Sequence, residues 1–267
     1  MYSFFSSPLF LPPTSFTDTC QSLEDDADWD VSLKTQLQEF AKGALELQGT
    51  PSNARKEPSV SPYGDNWDYL WVGGCSYNQP NHDHQYYLIS PDPTVAPVRR
   101  RHTSWGGPEK ITAMNDTRTV FRAGYGTCTT GYAVTQAAAR RMLTAISLPP
   151  NVAESAIDRK YGRMCAHMEG ELPLNCFGVY PALVAMHRFA GLASADSEIV
   201  DHSKEEQVHP EYTYDIVYST MMNLLPIAMG KKKYVSQWPT ETLHAELPLD
   251  PVFEWKGRTM FIDPSEE

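Results

Sequence analysis

The chain has 267 residues, 41% of them hydrophobic and 21% charged, with a formal net charge of -11 at pH 7. That length is enough to bury a substantial core in one large domain or two small ones. The acidic balance argues against a general binder of nucleic acid or anionic membrane, because either polyanion would repel it.

The first sixteen residues, MYSFFSSPLFLPPTSF, are apolar but lack a basic leader and are broken by Pro8, Pro12 and Pro13, which makes a poor signal peptide. No stretch approaches the roughly 20 apolar residues that span a bilayer. Residues 22–34, SLEDDADWDVSLK, gather five carboxylates (Glu24, Asp25, Asp26, Asp28 and Asp30) and then turn apolar at helical spacing. Leu33, Leu37, Phe40, Ala41, Ala44 and Leu45 share one helical face. Asp30 is the expected N-cap and Gly49 to Pro51 the stop. Residues 49–64 read as a loop, and NWDYLWVGG at 66–74 as a strand with Trp67, Tyr69 and Trp71 on one face and Leu70 and Val72 on the other.

Residues 78–118 are rich in proline and poor in periodicity, so the expectation is a long irregular surface segment with one or two short strands. The runs Arg99 to Arg101 and Lys231 to Lys233 read as solvated loop. A strand through Tyr132 to Val134 should then meet a helix capped by Thr135, with Ala138, Ala139, Met142, Leu143 and Ile146 inward and Pro149-Pro150 as its stop. Alternating strands, loops and helices indicate an α/β architecture. The tail beyond Pro239 reads as loosely packed.

The five cysteines, Cys20, Cys75, Cys128, Cys165 and Cys176, are too scattered for a zinc ribbon and too few for a disulfide scaffold. Cys165 and Cys176 are close enough to pair in an oxidising compartment, or else stand as separate thiols. The sequon Asn115-Asp116-Thr117 is compatible with the same compartment. His82 and His84 have the spacing of metal ligands on a strand but no third ligand near them.

For the acidic cluster, a calcium loop starting at Asp26 fails, because Val31 stands where glycine is needed and Leu37 where glutamate is needed. An aspartyl-phosphate phosphatase would need an apolar strand ahead of its first aspartate, and none is evident. Two readings remain open. Glu24 and Asp26, two apart on a strand, would point to one side and could hold a divalent ion on a diphosphate. Alternatively the acids merely favour the N-terminal dipole of the next helix.

Four segments together, LEDDADWDVSLKTQLQEFA (23–41), SPYGDNWDYLWVGGC (61–75), CTTGYAVTQAAARRML (128–143) and IDRKYGRMCAHMEGELPLNCFGVYPALVAMHRFAG (157–191), resemble fungal members of glycosyltransferase family 25 in the same order. TYDIVYSTMMNLL (213–225) with QWP (237–239) is a weaker fifth match. The similar region runs from 22 to 240, leaving 1–21 and 241–267 outside it.

The resemblance implies a GT-A-like α/β fold and transfer of a hexose, commonly galactose, from a nucleotide sugar to a hydroxyl on a glycan or protein. The expected partners are a UDP-galactose-like donor and that acceptor, with no nucleic acid. Glu24, Asp25 and Asp26 correspond to the family's acidic element on the donor diphosphate, with Glu24 and Asp26 as ligands of a divalent ion, Mn²⁺ or Mg²⁺. Asp28 and Asp30 would start the following helix. Asp158 stands in an acidic position that suits an acceptor base or a helix cap, and His187 and Arg188 in a turn that faces the diphosphate or is structural. Family members belong to the secretory pathway (ER/Golgi) and carry a nucleotide-binding portion ahead of the acidic motif. Here TSFTDTCQS (14–22) stands where an apolar strand is expected. The expectation is therefore an incomplete GT-A-like fold, N-terminally truncated, with a non-catalytic binding or structural protein derived from the same family as the alternative.

Overall fold

A computed structural model describes residues 19–49, 61–79, 84–102, 104–147, 156–196 and 207–262. Pro149-Pro150, His82, the first 18 residues and most of the 49–64 loop lie outside the described residues.

The architecture is mixed α/β. Seven strands form the main sheet: β1 (Thr19–Leu23), β2 (Tyr69–Gly73), β3 (Gln85–Ser90), β4 (Arg118–Arg122), β5 (Gly131–Thr135), β6 (Cys176–Tyr180) and β7 (Lys256–Phe261). Their order across the sheet is β1-β5-β2-β6-β4-β3-β7. Only β2 and β6 run parallel; the other neighbours are antiparallel.

Strand alternation sends side chains to two buried faces. Tyr69, Trp71, Tyr86, Leu88, Phe121, Val134 and Cys176 face one side, which is covered by α2 (Gln136–Ser147) and α3 (Ile157–Cys165) through Ala138, Met142, Tyr161 and Met164. Leu70, Tyr87, Ile89, Val120, Ala133, Phe177 and Val179 face the other, against Phe40, Ala44 and Leu47 of α1 (Leu33–Leu47). Gly43 lets α1 lie close to the sheet, since a Cβ there would meet Tyr87 Cδ1 at 2.7 Å. Gly162 does the same for α3, where a Cβ would strike the Gly126 carbonyl.

Several expectations are corrected. Trp67 precedes β2 and packs with Phe40 and Leu70 instead of joining Tyr69 and Trp71, because alternation binds only residues inside the strand. On α2, Thr135 caps as expected, its Oγ1 accepting from Ala138 N at 3.2 Å. The inward face is Ala138, Met142 and Ala145 with Ala139 partly buried against the same core, while Leu143 and Ile146 are exposed. Within 78–118, β3 is an interior strand of the sheet and no surface loop. The tail is not loose: β7 pairs with β3 along its whole length, and Leu247 and Ile262 are buried. β1, by contrast, is a largely exposed edge strand, which needs no apolar run. Both Cys75–Cys128 and Cys165–Cys176 are disulfides, with Cα separations of 5.5 Å, and Cys20 is free.

A buried ion pair locks the sheet to its connections. Arg118 Nε donates to Asp92 Oδ2 at 2.8 Å, and its other nitrogens donate to the carbonyls of Thr94, Pro181 and Ala182. Gln36 on α1 joins through Thr94 Oγ1 at 2.8 Å. Arg118→Met should therefore lower stability by about 3–5 kcal/mol, because Asp92 is left charged and unpaired in the interior. A urea midpoint within error of the wild type would show the pair to be dispensable.

Candidate functional site

The acidic cluster divides into two parts. Residues 24–26 form a turn after β1, closed by Ala27 N donating to Glu24 O at 3.2 Å, so strand alternation does not align their side chains. Glu24 Oε1 accepts from Thr129 Oγ1 at 2.6 Å, and Glu24 N donates to Thr130 O at 3.1 Å. Asp25 is exposed. Asp26 is half-buried and lies 3.3 Å from Arg188 Nη1. Burial raises its carboxyl above the ordinary 3.8, against the pull of Arg188.

Asp28 and Asp30 do not start a helix; both are buried tethers. Ala27–Trp29 pairs with Val184–Arg188, which pairs in turn with Tyr212–Thr213, forming a small three-stranded sheet. Asp28 Oδ2 accepts from Thr213 Oγ1 at 2.8 Å and from Ser219 Oγ, and its Oδ1 accepts from Trp29 N and Met221 N. Asp28 thus anchors the start of α4 (Thr220–Ala228). Asp30 accepts from Ser32 N and Tyr218 N, each at 2.9 Å. Ser32 takes the N-cap position of α1, without a side-chain cap bond.

The Val184–Arg188 strand places successive side chains on opposite sides. His187 points inward, wholly buried, with Nδ1 2.9 Å from Thr213 Oγ1. Its Nε2 lies 3.0 Å from Glu211 Oε1 but in poor alignment for a hydrogen bond. Met186 and Arg188 point outward into a cleft of about 390 Å³, lined also by Arg99, Arg101, His102, Tyr212 and Tyr214. The basic run is thus no free loop. Arg101 is buried and donates to the carbonyls of Ala96, Thr112 and Met114, while Arg99 and Arg100 both pair with Glu241. Arg188 donates to Asp196 O at 2.6 Å besides facing Asp26.

Of the sequence-derived site residues, Asp26 and Arg188 meet at the cleft and His187 sits behind them. Asp158 lies on the first turn of α3, where its Oδ2 accepts from Cys128 N and its Oδ1 from Arg159 N, each at 2.8 Å. The loop at 128–130 therefore separates it from Glu24 while touching both. Among the described residues, no group of three or more His, Cys, Asp or Glu side chains is placed to hold a metal ion.

Sequence reasoning missed His102, Asp215 and the cleft tyrosines. His102 Nδ1 lies 2.7 Å from Asp215 Oδ2, and His102 N donates to Asp215 Oδ1 at 3.0 Å. The Arg99 to Arg101 run beside His102 points to charge without naming a partner, and Tyr214 and Asp215 lie in the weak 213–225 match with no role attached to either. Compared with known proteins, the chain matches no family model, no curated protein and no solved structure.

Burial pushes Asp30 up to about 7 from the ordinary 3.8, outweighing the backbone N–H bonds that favour its charge. The folded chain thus holds a proton there that the unfolded chain releases, and stability declines as pH rises from about 4 through about 7. Urea denaturation should give a lower midpoint at about pH 8 than at about pH 5, and Asp30→Asn should shrink the difference. Asp30→Ala should lower stability by about 2–4 kcal/mol, because it orphans two buried N–H donors; the loss of a mere cap would be about 1 kcal/mol.

Proposed function

We propose that the chain is a GT-A-like glycosyltransferase of the family 25 kind, moving a hexose, galactose by resemblance, from a UDP-galactose-like donor to a hydroxyl on a glycan or protein. The observation that carries this reading is the contact of Asp26 with Arg188 at the edge of the arginine and tyrosine cleft. It brings the first and fourth family-like segments, at positions 162 apart, to one place.

The chemistry of the cleft supports the reading. Guanidinium groups recognise phosphate oxygens through several donors at once, and the fork of Arg188 keeps donors beyond those facing Asp26 and Asp196. Tyr212 and Tyr214, with ring centroids 5.0 Å apart, offer flat faces and hydroxyls to a sugar or base. The oxygen-only donors Glu24 and Asp26 suit a hard divalent ion such as Mn²⁺ or Mg²⁺, with the donor phosphates completing its shell. Such an ion would neutralise charge on the departing diphosphate. Two disulfides fit an oxidising compartment and hence the secretory pathway.

A second reading, a non-catalytic binding protein derived from the same family, is favoured by one observation: Glu24 and Asp26 are engaged by different partners, Thr129 and Arg188. Calorimetry separates the two. UDP-galactose should bind with a heat that depends on Mn²⁺, and Glu24→Ala or Asp26→Ala should abolish it while Asp25→Ala preserves it. Arg188→Ala should weaken binding about 10-fold to 100-fold. No metal-dependent heat from a chain that is folded by circular dichroism would remove the enzyme reading. Loss of binding in a folded Asp30→Ala chain, with Asp26→Ala unaffected, would move the donor site within the cluster.

A further inference from the structure

Asp158 has both carboxylate oxygens accepting from backbone N–H groups, one from Arg159 at the start of α3 and one from Cys128 in the neighbouring loop. That is a structural duty, and it leaves acceptor activation to another group. The cleft holds one that nothing in the sequence singled out.

His102 lies on the cleft wall with its side chain about 29% exposed, while its partner Asp215 is only 2% exposed. Asp215 grips the residue twice, with Oδ2 at the ring Nδ1 and Oδ1 at the backbone N. This fixes the ring orientation and the tautomer, placing the Nδ1 proton toward the carboxylate and leaving Nε2 with a lone pair. Among the described residues, no protein group is bonded to Nε2. Asp215 takes this position with φ at +66, an uncommon backbone state for any residue but glycine, and its N donates to Arg100 O at 2.9 Å. Behind the pair lies a void of about 10 Å³ beside Tyr77, Tyr180 and Cys75, and Asp215 is buried.

We propose that His102 is the general base of this cleft and Asp215 its positioning residue. This rests on the glycosyltransferase reading above. The acceptor hydroxyl gives its proton to Nε2 as its oxygen bonds to the anomeric carbon. The bond from that carbon to the donor diphosphate breaks, its electron pair leaves with the nucleoside diphosphate, and the imidazolium releases its proton to solvent. Arg188 lines the same cleft and Tyr214 packs edge-on at 5.7 Å, so donor and base share one chamber.

The groups around His102 set its titration. Burial lowers it, and the hydrogen bond and charge of Asp215 outweigh burial, so it stands above its ordinary 6.5 while Arg188 opposes. Arg99, Arg101 and Tyr212 line the same cleft, and Tyr180 Oη donates to the His102 carbonyl at 3.2 Å. Turnover should therefore rise with pH through the His102 titration, because only the neutral ring accepts a proton.

The test measures UDP release from UDP-galactose with Mn²⁺ and water as acceptor, across pH, alongside calorimetric donor binding and circular dichroism. His102→Asn should bind UDP-galactose within about threefold of the wild type yet lose about 100-fold to 10,000-fold in turnover. His102→Ala should regain part of the loss on addition of free imidazole, which a structural role would not permit. Asp215→Asn should shift the acidic limb of the profile to lower pH and slow turnover. Turnover of His102→Asn within threefold of the wild type, or a donor-binding wild type that releases no UDP, overturns the base assignment while donor binding stands. A folded wild type that binds no UDP-galactose removes the glycosyltransferase reading and the reaction this base would serve.

Discussion

One buried carboxylate holds the functional half of the molecule together. Asp28, fully removed from solvent, gathers Thr213, Ser219 and the backbone of Met221 around its two oxygens. A polar group at this depth is costly unless it is hydrogen-bonded, and both oxygens of Asp28 are. The geometry that satisfies it draws three remote segments into one place: the strand after the acidic turn, the Tyr212–Thr213 strand and the start of α4. Two residues on, the buried carboxyl of Asp30 likewise gathers the backbone of Ser32 and Tyr218. Asp28 ties its strand to Thr213 and Ser219, which flank Asp215, and the backbone pairing of Ala27–Trp29 with Val184–Met186 brings Asp26 near Arg188.

The cleft follows from this clamp and from strand alternation. Val184–Arg188 buries His187 in the Asp28 network and therefore turns Met186 and Arg188 outward. The cleft lining next to His102 is stiffened by Arg101, whose guanidinium is spent on three backbone carbonyls. A buried arginine used in this way acts as a bracket and adds little to ligand charge. Recognition then falls to Arg188, the tyrosines and the oriented His102. The site combines a rigid frame of buried polar bonds with a few side chains that keep unused donors or a lone pair, which is the preorganisation that binding and proton transfer require.

Much of the frame was legible residue by residue. The α1 periodicity, the Thr135 cap and the alternation of Tyr69 and Trp71 against Leu70 depend on neighbours within a few positions, and all are present. Legibility failed where context overrode local pattern. Thr19–Leu23 is polar because it is an edge strand, Lys256–Phe261 is a strand because Gln85–Ser90 offers it an edge, and Leu143 and Ile146 stay exposed because the α2 face is set by packing. In the candidate site, Asp26 and Arg188 were named from the resemblance and do meet. His102 carried no periodicity, spacing or motif to announce it, and Asp215 stood in the weak 213–225 match without a role.

By itself the sequence determined the α1 periodicity, the Thr135 cap and the strand at Tyr69–Gly73, because capping and periodicity are short-range. It also determined that five carboxylates would be crowded between β1 and α1. Only the tertiary structure decided what each became: Glu24 and Asp26 held at a turn, Asp25 in water, Asp28 and Asp30 buried as tethers. The physical reason is that a carboxylate's role is set by burial and by the donors brought to it, and those donors lie far along the chain, 185 positions away for Thr213 and 113 for the pairing of Asp215 with His102.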